Sequence, residues 1–400
     1  MKRSERDGAT LGLVCALALG GCGGGPPTGK FPGCASVSGN ICTVAGTGIA
    51  GDGADELAPL ATRLYLPQDM TVGPDGNLFV VDWNNHRIRE IDSVRGIMKI
   101  VAGAGELSLS VDDPSTGRLN HPTNVAFEPT SDAPGADPNH MVIAAWHNSR
   151  VKTMDLANGD LLDVCGNGKR GFSGNGGPAS VATLDLPVAV AFDPAGNLLI
   201  ADQANQMIRI VDRQTGIIET MAGIGHCADA VNPDPCVLND DGPASAAGFH
   251  FPIGQAAEPG GRIALDAAGN IYVADTEDFR LRRIDMPSGI IHTVAGTGVW
   301  GYAGDGGPAT EAQLGRLSDV AVGPDGSVYI ADTDNDCVRV ISPAGMISTF
   351  AGQCGVEGFA GDNAPARQAL LNRPYGVEVS PAGEVYIADT HNQRIRVVFP

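Results

Sequence analysis

Short apolar runs alternate with turn residues along most of the chain, and no stretch keeps the 3.6-residue period of an amphipathic helix. In residues 319–350 the runs are Asp319-Val-Ala-Val322, Val328-Tyr-Ile-Ala331, Val338-Arg-Val-Ile341 and Met346-Ile-Ser-Thr-Phe350. Gly323-Pro-Asp-Gly326 and Ser342-Pro-Ala-Gly345 separate them; Pro presets one torsion of such a turn and Gly accepts a positive one. The pattern predicts four strands joined by tight turns, which is one antiparallel sheet. The first strand of each unit is apolar nearly throughout, as expected of a strand packed on both faces.

The unit repeats. Ser327 to Ile341 has counterparts at Asn77 to Ile91, Asn197 to Val211, Asn270 to Ile284 and Glu384 to Val398, with a weaker one at His140 to Met154. Their second basic residues are Arg89, Lys152, Arg209, Arg282, Arg339 and Arg396, the last three spaced by 57 residues. A fixed period of this size marks repeated supersecondary units. Six four-stranded sheets arranged radially predict an all-β, six-bladed propeller over residues 39–400. The sixth unit stops after its third strand, while Asn40-Ile-Cys-Thr-Val-Ala-Gly46 resembles fourth strands such as Gly289 to Gly296. The N-terminal strand is therefore expected to complete the last blade, leaving fewer edges open to pairing. The 55 glycines and 27 prolines suit the many turns, and a closed ring overrides the two or three domains that 400 residues would suggest.

Residues 1–22 read as a signal peptide. Lys2 and Arg3 precede Leu11-Gly-Leu-Val-Cys-Ala-Leu-Ala-Leu19, which is too short to span a bilayer. It ends in Leu19-Gly-Gly-Cys22, which resembles the bacterial lipoprotein signal, in which the cysteine is acylated. That resemblance implies lipidation at Cys22, a flexible tether over 23–38 and an extracytoplasmic, outer-membrane location, because Gly23 is not the Asp of an inner-membrane retention signal. An ordinary secretory peptide is the alternative. Of the seven cysteines after Cys22, Cys227 and Cys236 bracket an inserted polar loop and are the best disulfide candidate. Cys34 with Cys42 would staple the first strand to the tether, and Cys337 with Cys354 would join neighbouring parts of the fifth blade; the odd count leaves one thiol over.

The formal charge is −20, and removal of residues 1–21 takes away three positive and two negative charges, leaving about −21. A domain this acidic repels phosphate backbones, which argues against nucleic acid. Cationic partners are favoured.

The segments Asp325 to Ile341, Asp75 to Arg89 and Gly383 to Arg396 resemble the NHL repeat family. The Ala295-Gly-Thr-Gly298 and Gly304-Asp-Gly-Gly-Pro-Ala309 elements, with Gly174-Asn-Gly-Gly-Pro-Ala179, are similar to its bacterial and teneurin-like branch. The resemblance covers residues 40–400 and implies the propeller fold. It implies little about function, since NHL propellers serve as binding platforms and, less often, as lyase-like enzymes. The second unit departs most, with Ala145 where the others have Asp and an insertion from Ser131 to Asn139.

The Asp closing the second strand recurs as Asp82, Asp202, Asp275, Asp332 and Asp389, and that repetition reads as structural, because an active site is needed once. In the Gly-Asp-Gly-Gly-Pro loop, Asp305 is expected to cap a short helical turn with Pro308 at its first position. Residues opening the first strands should surround the mouth of the central channel, where the units differ most. There Asp69, Asn124 and Asp319 would offer oxygen ligands and Arg262 would hold an anion. Glu378, one step deeper, is charged where the other units have Thr71, Ala126, Ala191, Ala264 and Ala321. No cofactor is expected; calcium is the ion that the clustered Asp and Asn oxygens would suit. The sequence favours a monomeric, non-enzymatic, lipid-anchored scaffold for a protein or glycan partner. The alternative is a metal-dependent, lactonase-like hydrolase or lyase at the channel mouth.

Overall fold

Six antiparallel sheets stand around a central axis in a computed structural model that describes residues 33–105, 118–128, 139–225, 238–254 and 257–400. The blades occupy Asp69–Ala102, Pro122–Cys165, Pro187–Ala222, Ile263–Ala295, Leu317–Ala351 and Gly376–Val398, numbered one to six below. Within each blade the strands pair in sequence order, the first innermost. In blade five they are Leu317–Val322, Val328–Asp332, Cys337–Ile341 and Ile347–Ala351, within two residues of the runs in the sequence. The first strand begins two residues earlier than its apolar run, because Leu317 pairs with Asp332 across a bulge.

The apolar first and second strands have their explanation in where the core lies. The buried clusters bridge neighbouring blades: Ala274 and Leu281 of blade four meet Val320 and Ile330 of blade five, and Ala331 and Val338 of blade five meet Val377 and Ile387 of blade six. A strand between two such clusters buries both faces and cannot alternate.

Asn40–Ala45 closes the ring as the fourth strand of blade six, with Ile41 opposite Val398 and Cys42 opposite Val397. Disulfides join Cys34 to Cys42 and Cys337 to Cys354, and Cys165 is a buried free thiol. Burial pushes that thiol up to about 12, so it is inert. Cys22, the Cys227–Cys236 pair and residues 131–138 of the second-blade insertion lie outside the described residues.

The Gly-Asp-Gly-Gly-Pro loops correct one expectation. Pro308 stands just before the short helical turn Ala309–Glu311 and not at its first position, and no side chain caps that turn. Asp305 is drawn away instead: Arg339 Nη2 lies 2.5 Å from its Oδ1, while the Thr349 N–H and hydroxyl donate to its Oδ2 at 2.9 and 2.6 Å. A charged donor competes better for the carboxylate than the weak backbone donors of a three-residue turn. Elsewhere the same loop adds a fifth strand of two residues, as where Gly177–Pro178 pairs with Ile217–Ile218.

Candidate functional site

The end of each second strand, the turn that follows it and the loop arriving from the previous blade share one face of the disc. The recurrent carboxylate ties these pieces together. Asp82 Oδ1 accepts the Tyr65 N–H at 2.8 Å, and Asp202, Asp275, Asp332 and Asp389 accept N–H groups of Asp185, His250, Gly315 and Asn372 in the same way. In blades one, three, five and six the Asn three residues on donates to both the carboxylate and a loop carbonyl, as Asn335 does to Asp332 and to Gly301; blade four has Asp278 there. Behind them stands the buried arginine of each blade except the second. Arg282 Nη1 lies 3.3 Å from Asp275 and its Nη2 2.8 Å from the loop residue Asp240; Arg396 spans Asp389 and Asp362 likewise. Burial pushes these carboxyls up, Asp332 and Asp389 to about 6, and the guanidinium works against it. In blade two, where Ala145 replaces the Asp, Lys152 and Arg150 turn to Asp163 instead.

The channel-mouth residues are brought together, around Arg262. Its Nη1 lies 3.0 Å from Asp69 Oδ1 and 3.3 Å from Asp319 Oδ2, and its Nη2 donates to the Thr123 and Gln68 carbonyls at 2.6 and 3.2 Å. Arg262 is 1% exposed, so the anions it holds belong to the protein and not to a ligand. The remaining oxygens are also engaged: Asn124 donates to Asp69 and accepts the Val190 N–H, and Asp319 accepts the N–H groups of Val320 and Val377. Burial pushes Asp319 up to about 7, opposed by Arg262 and reinforced by Asp69. The mouth is thus a polar plug reaching from blade four to blades one, two and five.

Below the plug a cavity of ≈ 390 Å³ continues to the opposite face, with Glu378 projecting at the level of Ala126, Ala191, Ala264 and Ala321. Burial, with the charges of Asp69 and Asp319, pushes Glu378 up to about 8; its Oε1 accepts from the Thr71 hydroxyl at 3.4 Å. Among the described residues no three His, Cys, Asp or Glu side chains are spaced to hold a metal ion.

A second cavity, of ≈ 340 Å³, opens above the plug over blades four to six. Ser318, Thr333 and Tyr375 line its base; Arg316 with Glu277 and Arg373 with Glu258 line its walls. The base hydroxyls lock neighbouring blades: Thr333 donates to the Pro374 carbonyl at 2.7 Å and Ser318 to the Tyr375 carbonyl at 2.8 Å. Sequence reasoning missed this cup, although it left a signal. His250 lies 25 residues before Asp275, where Gly315 and Asn372 lie 17 before their aspartates, and Ala257, Glu258 and Pro259 of that longer segment line the cup.

The family model for the teneurin NHL domain matches residues 41–241, and NHL repeats match 314–341 and 371–398. The chain belongs to the teneurin NHL domain family. Teneurin-m of Drosophila melanogaster is 29% identical over 362 residues, 84% of this chain and 12% of that protein. Human Teneurin-4 is 27% identical over 361 residues, with the same coverage. The NHL propeller thus spans 12% of the length of these curated relatives. Among solved structures, an auxiliary nutrient binding protein from Bacteroides thetaiotaomicron superposes with a TM-score of 0.62 at 16% identity, over 89% of this chain and 75% of that one. At that identity the NHL propeller shares its fold.

Proposed function

We propose that this NHL propeller is an exported, lipid-anchored binding protein that acts without catalysis and recognises its protein or glycan partner through the cup over blades four to six. The observation that carries this reading is the contrast between the two ends of the polar plug. The oxygens of Asp69, Asn124 and Asp319 are committed to Arg262 and to backbone N–H groups, whereas the cup above keeps charged and aromatic side chains around open space. Concave sites with a few convergent polar groups are the usual places for ligands. A lactonase-like reaction at the mouth would first have to break the Arg262 ion pairs to free those ligands.

The test is an array of glycans and peptides probed with the purified protein, with Arg373→Gln, and with Ser318→Trp, which fills the cup, each variant first shown to keep the wild-type circular dichroism and a cooperative melting transition. Ligands retained by the wild type and lost by either variant support the reading. Binding that both variants leave intact, or ester or lactone turnover abolished by Asp319→Asn, overturns it.

A further inference from the structure

We infer that the cup takes a sugar carboxylate, a uronic acid, and that Glu258 occupies the carboxylate position until such a ligand arrives; this rests on the cup being the binding site. Arg316 and Arg373 hold equivalent positions in blades five and six, where blades one to three carry Leu66, His121 and Leu186. Both guanidiniums therefore converge on one cavity in a chain of strongly negative charge.

The Glu258 carboxylate demonstrates what this corner binds. Arg373 Nη2 lies 2.7 Å from Glu258 Oε2 and 3.0 Å from the Tyr375 hydroxyl. Arg373 Nη1 is anchored on Asp334 at 3.2 Å, so the guanidinium keeps its place whether or not Glu258 is present. Its Nε is buried without a partner. Glu258, by contrast, is 51% exposed on the extra loop of blade four, and an ion pair that wet is weak enough to be exchanged for a ligand. Arg316 places both Nε and Nη2 on one oxygen of Glu277, a second exposed pair across the cup.

The base selects a hydroxylated acid over a plain one. The Thr333 and Thr276 hydroxyls donate to the Pro374 and Leu317 carbonyls, and the Ser318 hydroxyl stands between the Tyr375 carbonyl and Thr333 Oγ1; with the Gly261 N–H also donating to Thr276, each oxygen keeps one lone pair or more as an acceptor. Ligand hydroxyls donate to such acceptors; a bare alkyl carboxylate leaves them unused.

Calorimetric titration of the purified protein with D-glucuronate, D-glucose and succinate tests this, together with Glu258→Gln, Arg373→Gln and Ser318→Trp. The expected result is saturable glucuronate binding, roughly threefold to fivefold tighter in Glu258→Gln and lost in Arg373→Gln, with neither glucose nor succinate matching it. Succinate binding as tightly as glucuronate overturns the sugar assignment. Glucose binding that Arg373→Gln leaves unchanged but Ser318→Trp abolishes overturns the anionic ligand while the cup stands as the site. No saturable glucuronate binding by the wild type or Glu258→Gln also overturns the inference.

Discussion

Arg89 Nε lies 2.7 Å from Asp82 Oδ2, and neither side chain reaches solvent. The pair joins the second and third strands of blade one, and Arg89 continues to Asp52 at 2.6 Å in the loop that arrives from blade six. Removing Arg89 leaves Asp82 buried without its countercharge, whereas removing Asp82 leaves Arg89 with Asp52. Arg89→Ala is expected to cost about 3–5 kcal/mol, read from urea denaturation, and Asp82→Ala less, because Asp52 still faces the guanidinium. The double variant should cost clearly less than the two together, because it strands no charge.

Ring closure depends on hydroxyls as well as on the N-terminal strand. Thr390 of blade six donates to the Pro67 carbonyl ahead of blade one at 2.7 Å, as Thr276 does to Leu317 and Thr333 to Pro374. Thr390→Val keeps the shape and removes that bond. It should lower stability by about 1–2 kcal/mol, seen as a reduced melting temperature with unchanged far-ultraviolet dichroism.

Glu378 links stability to alkaline pH. Its folded value of about 8 lies above the ordinary 4.5, so the folded state holds a proton that the unfolded chain has released. Wild-type stability therefore falls as pH rises from about 4.5 through 8. Glu378→Gln should gain on the wild type over that window, by about 1–3 kcal/mol at pH 8 and far less at pH 5, in denaturant titrations at the two values. Equal differences at both would show that Glu378 ionises as freely in the fold as outside it.

The histidines between blades one and two act in the opposite direction. His121 stacks edge-on against His86 and His147, with ring centroids 4.3 and 4.8 Å away, and its ring nitrogens meet Asn120, Asn84 and His147. Burial first, then the neighbouring histidines, push it down to about 3. Below pH 6.5 the unfolded chain takes up a proton that the folded site refuses, so stability is lost as pH falls toward 3. His121→Gln should remove about 1–2 kcal/mol of the loss between pH 7 and pH 4, after allowance for the site's partial exposure. The difference in melting temperature between variant and wild type should therefore shift in the variant's favour as pH falls.

The fold was legible because each blade repeats the same pattern and a ring has few alternatives. Blade count, strand order and closure by Asn40–Ala45 all follow from matching six segments. The site was less legible for two physical reasons. Alignment placed Asp69, Asn124, Arg262 and Asp319 at one mouth, but residue type does not tell whether a cation there serves a ligand or its own neighbours. Distances of 3.0 and 3.3 Å from Arg262 to the two carboxylates decide that. The cup needed blades four, five and six in register before Glu258 and Arg373, 115 residues apart, met. Its trace was a change in spacing, which matching of like segments discards.

The union of Asn40–Ala45 with blade six also sets how the molecule bears load. Tension on residues ahead of Cys34 does not travel through residues 35–41, because the Cys34–Cys42 disulfide passes it directly to the middle of the strand. The force then falls on the pairing of Cys42 with Val397, beside the Ile41–Val398 contact. Outside it lies only the two-residue pairing of Asn40 with Pro365 and Ile41 with Ala364, so little holds the strand on that side once its bonds to blade six begin to open. A pull from the N-terminal side would peel the ring open at its seam before disturbing the cup.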